Sequence, residues 1–448
     1  MALIGFRSRL WGRIIRLTPP GLLVTLYMTV IALGALLLWL PFSTTTSISF
    51  FDALFTATSA VTVTGLSVVQ TGTDFTFIGQ VILLLLVQFG GLGLMTFAVF
   101  VLSAIGVKIG LGGRLILRED LNQSSMGDLL KLVKLLLAVA LGCEAGGATL
   151  LALVFIPEMG FAEGAWFAIF HAVSAFNNAG FSLEGQSLVP WVGNPVINLV
   201  IPMLFILGGL GFVVLADIYE TRRWRALSLH TKIMLYGTVV LIFVPWAIFA
   251  ALEWTNAATL GELPIWHKIQ ASWFQAVTPR TAGFNTIETA GMHDATTLLT
   301  MALMVIGGGS TSTAGGIKVT TAVVLVLATI AFFRKRTELH AFGRSLALEE
   351  VMKVLALTTV SVMILVLSLF VISITFDGPF LVLAFEVASA FGTVGLTMGA
   401  TENLDAVGRV MIMIVMFLGR VGPLTLGFFL ATHSVARVRY PKGRIYLG

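Results

Sequence analysis

Four short segments of this chain end on a glycine followed by Leu or Phe, and the chemistry they suggest is that of backbone oxygens rather than side chains. They are Val61, Thr62, Val63, Thr64 and Gly65; Phe176, Asn177, Asn178, Ala179 and Gly180; Pro279, Arg280, Thr281, Ala282 and Gly283; and Phe391, Gly392, Thr393, Val394 and Gly395. A monovalent cation leaves water only where other oxygens replace its hydration shell, and rings of backbone carbonyls do this for potassium. Consecutive carbonyls can face one axis only if the backbone takes alternating or positive dihedrals, which glycine adopts without steric cost. The four segments are therefore candidate filter strands.

The register recurs in all four. Six residues before each glycine stand Ser59, Ser174, Val277 and Ser389, followed by Ala60, Ala175, Thr278 and Ala390. Close packing of membrane helices also selects glycine, but packing alone does not repeat a whole register. A second landmark follows roughly 25 to 30 residues later, a distance suited to a return helix rising about 1.5 Å per residue. It reads QFGGLGLMTF from Gln88, LGGLGFVVL from Leu207, IGGGSTSTAGGIK from Ile306 and LGRVGPLTL from Leu418. For Gly90, Gly91 and Gly93, and for Gly208, Gly209 and Gly211, helix packing is the expected use.

The third landmark stands apart. Gly307, Gly308, Gly309, Ser310, Thr311, Ser312, Thr313, Ala314, Gly315 and Gly316 are too rich in glycine for a helix interior. Irregular backbone at membrane depth must be buried in protein or face water, so this stretch is expected to be a gate just under the filter rather than a kink. Lys318 ends it and is expected to reach toward the cytoplasmic side. Arg420, aligned with Gly91 and Gly209, is costly in hydrocarbon. It is expected to face the water path, repel a resting cation and hydrogen-bond carbonyls of the gate; the alternative is pairing with an acid between helices. Asn177 and Asn178 are read as bracing the filter backbone. His171, Gln275 and Glu386 are read as bracing it from the short segments, and Glu144 as protonated or near an interface between subunits.

The elements that must hold these loops are membrane spans. Of 448 residues, 57% are hydrophobic and 11% charged, which a soluble globular surface does not tolerate. A span takes about 20 apolar residues, and eight runs qualify: Gly21 to Leu40, Phe77 to Ile105, Leu132 to Ile156, Val196 to Ala216, Ile233 to Leu252, Leu298 to Phe333, Val354 to Phe376 and Val410 to Ala431. The segments around the four filter strands are too short to cross and lie between paired spans, so they read as re-entrant. Their short helices would aim C-terminal ends, each with about half a negative charge, at the ion path. If the chain starts inside and crosses eight times, Lys and Arg collect on one side, leaving only Lys268, Arg280 and Arg409 on the other. Retention of positive loops then makes both termini cytoplasmic. Asp52, Asp74, Glu158 and Glu163 are among the outer acids that would attract cations. The single cysteine, Cys143, excludes a disulfide framework within one chain.

The expected fold is an all-α integral membrane protein. Four tandem repeats of helix, pore helix, filter loop and helix would stand with pseudo-fourfold symmetry around one pore, with eight transmembrane helices. The expected boundaries are a cytoplasmic N-terminus (1–20), pore repeats at 21–105, 131–220, 230–333 (with the gate loop) and 350–432, and a cytoplasmic tail (433–448).

The motifs TVTGL, NNAGF, RTAGF and GTVGL, together with GSTSTAGGIK, resemble the Trk/Ktr/HKT superfamily of cation transporters over nearly the whole chain. Eight spans resemble its bacterial KtrB-type membrane subunits more than the TrkH type, which has an additional N-terminal pair. The resemblance implies potassium uptake across the cell (inner) membrane, often stimulated by sodium (Na+), by a homodimer docked on a cytosolic ring of KtrA-type regulatory subunits. ATP or ADP would bind that ring, and no organic cofactor is expected in this chain. Sodium-preferring relatives commonly carry serine at the first filter glycine, so Gly65 points to potassium (K+). Arginine at the position of Arg280 is shared with the family, which implies that it points behind the filter.

Other functions fit less well. No HExxH, GxSxG or pair of acids at helical spacing within a span supports an enzyme. A carrier-type symporter built on inverted repeats conflicts with four repeats that all begin inside. A voltage sensor needs an arginine-rich span, and none of the runs has one. A sodium-conducting channel remains the nearest alternative. Basic charge is dispersed over short loops, unlike a nucleic-acid-binding domain.

Overall fold

The structure, a computed structural model, describes residues 19–93, 129–335 and 338–422. The expected N-terminal segment (but for its last two residues), the C-terminal tail and the ends of the second and eighth runs lie outside the described residues.

Among the described residues a long helix, a short helix and a return helix follow one another four times. The first unit has Pro19–Trp39, Phe50–Val61 and Phe77–Gly91; the second has Leu129–Met159, Phe161–Phe176 and Pro195–Leu210. The third has Leu229–Glu253, Ile265–Val277 and Asp294–Val305, and the fourth Leu348–Ser373, Phe380–Gly392 and Ala406–Val421. Local signals start several of these helices. Ser49 accepts from the Asp52 amide, Asn194 from Val196 and Ile197 with Pro195 at the first helical turn, and Asp405 from Gly408.

The packing order closes on itself. The return helix of the first unit packs on the short helix of the second, the second's on the third's, the third's on the fourth's, and Ala406–Val421 returns to Phe50–Val61. Arg409 also pairs with Asp52 at 2.9 Å across that last junction. Phe55, Phe170, Phe274 and Phe385, one from each short helix, are fully buried. The long helices instead present apolar side chains outward; Leu153, Met363, Val366 and Phe370 are each more than half exposed, a surface suited to lipid rather than water.

Three of these helices are long and apolar enough to cross a membrane: Val133–Met159, Leu229–Glu253 and Leu348–Ser373. Counting Pro195–Leu210 and Phe212–Thr221 as one span, bent by 90°, makes four. Two expected runs are interrupted as helices, Val196 to Ala216 at Gly211 and Leu298 to Phe333 between Val305 and Val319. Gly93, Gly211 and Gly422 take φ of 85°, 96° and 90°, each where a return helix ends. The expectation of an all-α chain also needs amendment. Leu339–Ala341 and Arg344–Leu346 pair antiparallel between the third and fourth units. Their two-residue turn, Phe342 and Gly343 at φ 49° and 76°, has the left-handed backbone that matches strand twist in a tight hairpin.

Candidate ion filter and gate

Each short helix delivers its C-terminal end to the start of a filter segment, and there the backbone alternates. Val63, Asn178, Thr281 and Thr393 take φ of 56°, 59°, 72° and 50°, and the glycines two residues on take 89°, 66°, 78° and 95°. Left-handed residues at every second position turn successive carbonyls to one side, the geometry expected of a carbonyl-lined strand. Such φ values strain a residue that carries a Cβ and persist only where surrounding structure holds them. The holding bonds run backwards into the short helices. The amides of Thr64, Ala179, Ala282 and Val394 donate to the carbonyls of Ser59, Ser174, Thr278 and Ser389 at 2.8 to 3.0 Å.

Hydroxyls at the recurring register tie down the far end. Ser59 and Ser389 accept from the amides of Gly65 and Gly395 at 3.0 and 3.1 Å. Ser174 and Thr278 instead donate to the carbonyls of Phe181 and Phe284 at 2.8 and 2.5 Å. With the amides engaged behind the strands, the carbonyls of the last three residues in each segment accept no hydrogen bond among the described residues.

The four segments meet. A Cβ on Gly65 would stand 2.3 Å from the Ala179 oxygen, one on Gly283 2.2 Å from the Val394 oxygen, and one on Gly395 2.3 Å from the Thr64 oxygen. Gly180 closes the circuit, its Cβ position lying 2.9 Å from the Gly283 Cα. Glycine is required here for close approach as well as for φ.

The segment after the third return helix is an irregular loop, as expected, from Ile306 to Lys318 before Val319–Phe333 resumes. Its base is closed by Gly307 donating to Ile317 at 2.8 Å and Ile317 to Val305 at 3.0 Å. The loop lies against the first positions of the filter. The Asn178 amide sits between Thr281 Oγ1 (3.0 Å) and Thr313 Oγ1 (2.9 Å), and a Cβ on Gly315 would stand 2.2 Å from Thr393 Oγ1.

It is also fastened to the return helices. Gly309 donates to the Gly209 carbonyl at 2.7 Å, Phe212 to Thr311 at 3.0 Å, and Gly316 to Gly419 at 3.3 Å. Arg420 donates to the carbonyls of Thr313 and Gly90, and to Gly91 at 3.2 Å, so its expected bonding to the gate is present and no acid pairs with it among the described residues. Lys318 differs from expectation. Its Nζ folds back onto the carbonyls of Ala314 and Gly315 at 2.6 and 3.4 Å, because the loop offers a half-buried ammonium the acceptors it needs.

The glycine pairs of the return helices also do more than pack helices. Cβ atoms at Gly90, Gly208 and Gly419 would meet the Val61, Phe176 and Phe391 carbonyls at 2.2, 1.9 and 2.1 Å, so these glycines seat the first residue of the segment in the first, second and fourth units. Gly211 stands at the 90° bend between Pro195–Leu210 and Phe212–Thr221. Arg280 points away from the ring, with its Nη1 donating to Thr238 in the long helix at 3.2 Å. His171 bonds Ser182 at 2.9 Å, and Glu386 accepts from Thr397, Met398, Ala400 and Thr401 in the loop that leaves the fourth filter segment. Gln88 escaped the sequence reading. Its one signal was a polar side chain in a return helix, FIGQVILLLLVQFGG, that is apolar apart from it and Gln80.

Comparisons with known proteins place the chain in a family. A family model described as TrkH, cation transport protein, matches residues 22–435. The chain is 47% identical over 434 residues to Ktr system potassium uptake protein B of Bacillus subtilis, covering 97% of this chain and 98% of that one. It is 40% identical over 442 residues to potassium/sodium uptake protein NtpJ of Enterococcus hirae, covering 97% and 98%. The crystal structure of the potassium transporter TrkH from Vibrio parahaemolyticus superposes with a TM-score of 0.70 at 21% identity, over 92% of this chain and 84% of that one.

Proposed function

This chain belongs to the TrkH family of cation transport proteins, and from that premise we propose that it is the ion-conducting subunit of a Ktr-type potassium-uptake system. It is a multi-pass membrane transporter and not an enzyme. The observation that carries the potassium reading is the closed circuit of four glycine-ended strands whose terminal carbonyls accept no hydrogen bond among the described residues. Such oxygens are available to replace the water around a dehydrated cation.

The geometry supports the following mechanism. Four units with pseudo-fourfold symmetry surround one pore, and an ion passes along the ring of carbonyls at Val61 to Gly65, Phe176 to Gly180, Pro279 to Gly283 and Phe391 to Gly395. The short-helix C-termini make the path attractive to cations and repellent to anions. The loop from Gly307 to Gly316, with Lys318 and Arg420, occludes the path beneath the filter and moves aside for conduction. Its fastenings are few and polar, which suits a two-state element better than a packed core would.

Regulation by a cytosolic nucleotide-binding subunit, a homodimeric assembly, location in the cell membrane with both termini inside, and sodium stimulation form part of the same reading. The names of the relatives support potassium and, for one of them, sodium.

The test is growth of a bacterial strain lacking its own potassium-uptake systems on limiting potassium. Wild-type protein, with a regulatory partner, restores growth, and Gly65→Ser lowers discrimination against sodium about tenfold, the expected scale when a filter carbonyl must move to admit a side chain. Sodium uptake without potassium preference in the wild type would replace this reading with that of a sodium channel.

A further inference from the structure

A buried carboxyl stands behind the second filter segment without a cationic partner among the described residues. Glu144 lies within Leu129–Met159, is 5% exposed, and faces inward from a helix whose other side is apolar. Ionisable groups at such depth persist where they serve a function. Gln88 Nε2 donates to Glu144 Oε1 and Oε2 at 3.0 and 3.3 Å, and Asn177 Nδ2 donates to Oε1 at 3.1 Å. Asn177 Nδ2 also donates to Gln88 Oε1 at 2.7 Å and to the Val173 carbonyl at 2.9 Å. Three side chains from the first return helix, the second long helix and the second filter segment thus form one cluster.

The place of Asn177 gives the cluster its meaning. It occupies the second filter position, where the other units carry Thr62, Arg280 and Gly392. Thr62 bonds within its own segment, to Thr58 and Thr64, and Arg280 reaches its own long helix. Only Asn177 is held from a neighbouring unit as well as its own. Its Oδ1 has no partner among the described residues and is pressed against Gly91, where a Cβ would lie 2.0 Å away. The position of the amide is thus set by bonds to Glu144, Gln88 and Val173 on one side and by the close approach of Gly91, which leaves no space for a side chain there, on the other. The next residue, Asn178, takes φ 59° and joins the third filter segment to the gate loop.

We propose that Glu144 and Gln88 are positioning residues for ion selectivity, acting through Asn177 to fix the height of the second filter segment and its junction with the gate. This rests on the potassium-filter reading above. No contact between either residue and the ion is involved. A filter held at one corner by a clamp of hydrogen bonds discriminates ions by resisting distortion, so loosening the clamp relaxes selectivity before it abolishes flux.

The experiment measures potassium uptake and its inhibition by sodium in the same rescued strain, per unit of protein in the membrane. Glu144→Leu removes both acceptors and is expected to lower the potassium preference about fivefold, the scale of one or two lost hydrogen bonds. Glu144→Gln keeps an acceptor at the shared Oε1 position and should retain most of it. Gln88→Leu removes the partner of both other side chains and should match Glu144→Leu, which decides the matter if Glu144→Leu fails to reach the membrane. Unchanged sodium inhibition in Glu144→Leu, or in Gln88→Leu where that variant decides, overturns the proposal. Failure of the wild type to take up potassium would instead overturn the filter reading on which it rests.

Discussion

The ring of filter glycines and the layer of helix breaks beside it are built from the same residue type, yet the four units agree at the first level and part company at the second. In the filter every unit places a left-handed residue two positions before a left-handed glycine, and every glycine meets a neighbouring strand. Among the breaks, three units end the return helix at a single glycine, whereas the third spends the residues from Ile306 to Lys318 on a loop. The fourth has Arg420 where the first and second have Gly91 and Gly209. Under the proposed function, binding a spherical ion would reward equivalence, since each strand would supply the same ligand. Opening and closing a path would reward inequality, since one element would move against others that stay.

That contrast can be broken or sharpened by substitution. The largest effect is expected at Gly395→Ala. Its Cβ would lie 2.3 Å from the Thr64 oxygen at φ 95°, strain on the order of 1–3 kcal/mol before the clash is counted. Potassium uptake should fall at least about tenfold, and normal uptake with normal selectivity would show that the ring is not the filter.

Arg420→Ala should act in the opposite direction. It removes charge-assisted bonds to Thr313, Gly90 and Gly91, each worth about 1.5–3 kcal/mol. Uptake should rise about fivefold with potassium preference intact, and a fall in uptake would mean that Arg420 supports conduction rather than holding the loop closed. The smallest effect is expected for Ser59→Ala, which loses one bond to the Gly65 amide at 3.0 Å, about 1 kcal/mol. Its apparent potassium affinity, from uptake kinetics, should weaken two- to fivefold, more than its maximal rate. Equal loss in both would point to damaged folding instead.

Much of this was legible before any coordinates. The four glycine-ended segments with their positive φ, the recurring Ser59, Ser174 and Ser389, and the irregular loop bonded by Arg420 were readable because each is a local demand on residue type: positive φ, a hydroxyl near a helix end, a charge in an apolar run. Gln88 and the true orientation of Lys318 were not. A glutamine in an apolar helix says only that some partner exists, and a lysine after a glycine-rich stretch can snorkel outward or fold back equally well. The Gly90 and Gly208 pairs were read as helix packing. They proved to seat carbonyls from a different segment, an approach distance that no single sequence encodes.

By itself, then, the sequence determined that the chain is a membrane protein whose repeated glycines take left-handed backbone, because hydropathy and backbone sterics act residue by residue. Only the tertiary structure decided that the four strands close into a circuit, that the second return helix bends at Gly211, and that the loop is tied to the second and fourth return helices. Those outcomes depend on which distant segment comes within hydrogen-bond range of which, and contacts between distant segments are fixed by the packing of all the helices together.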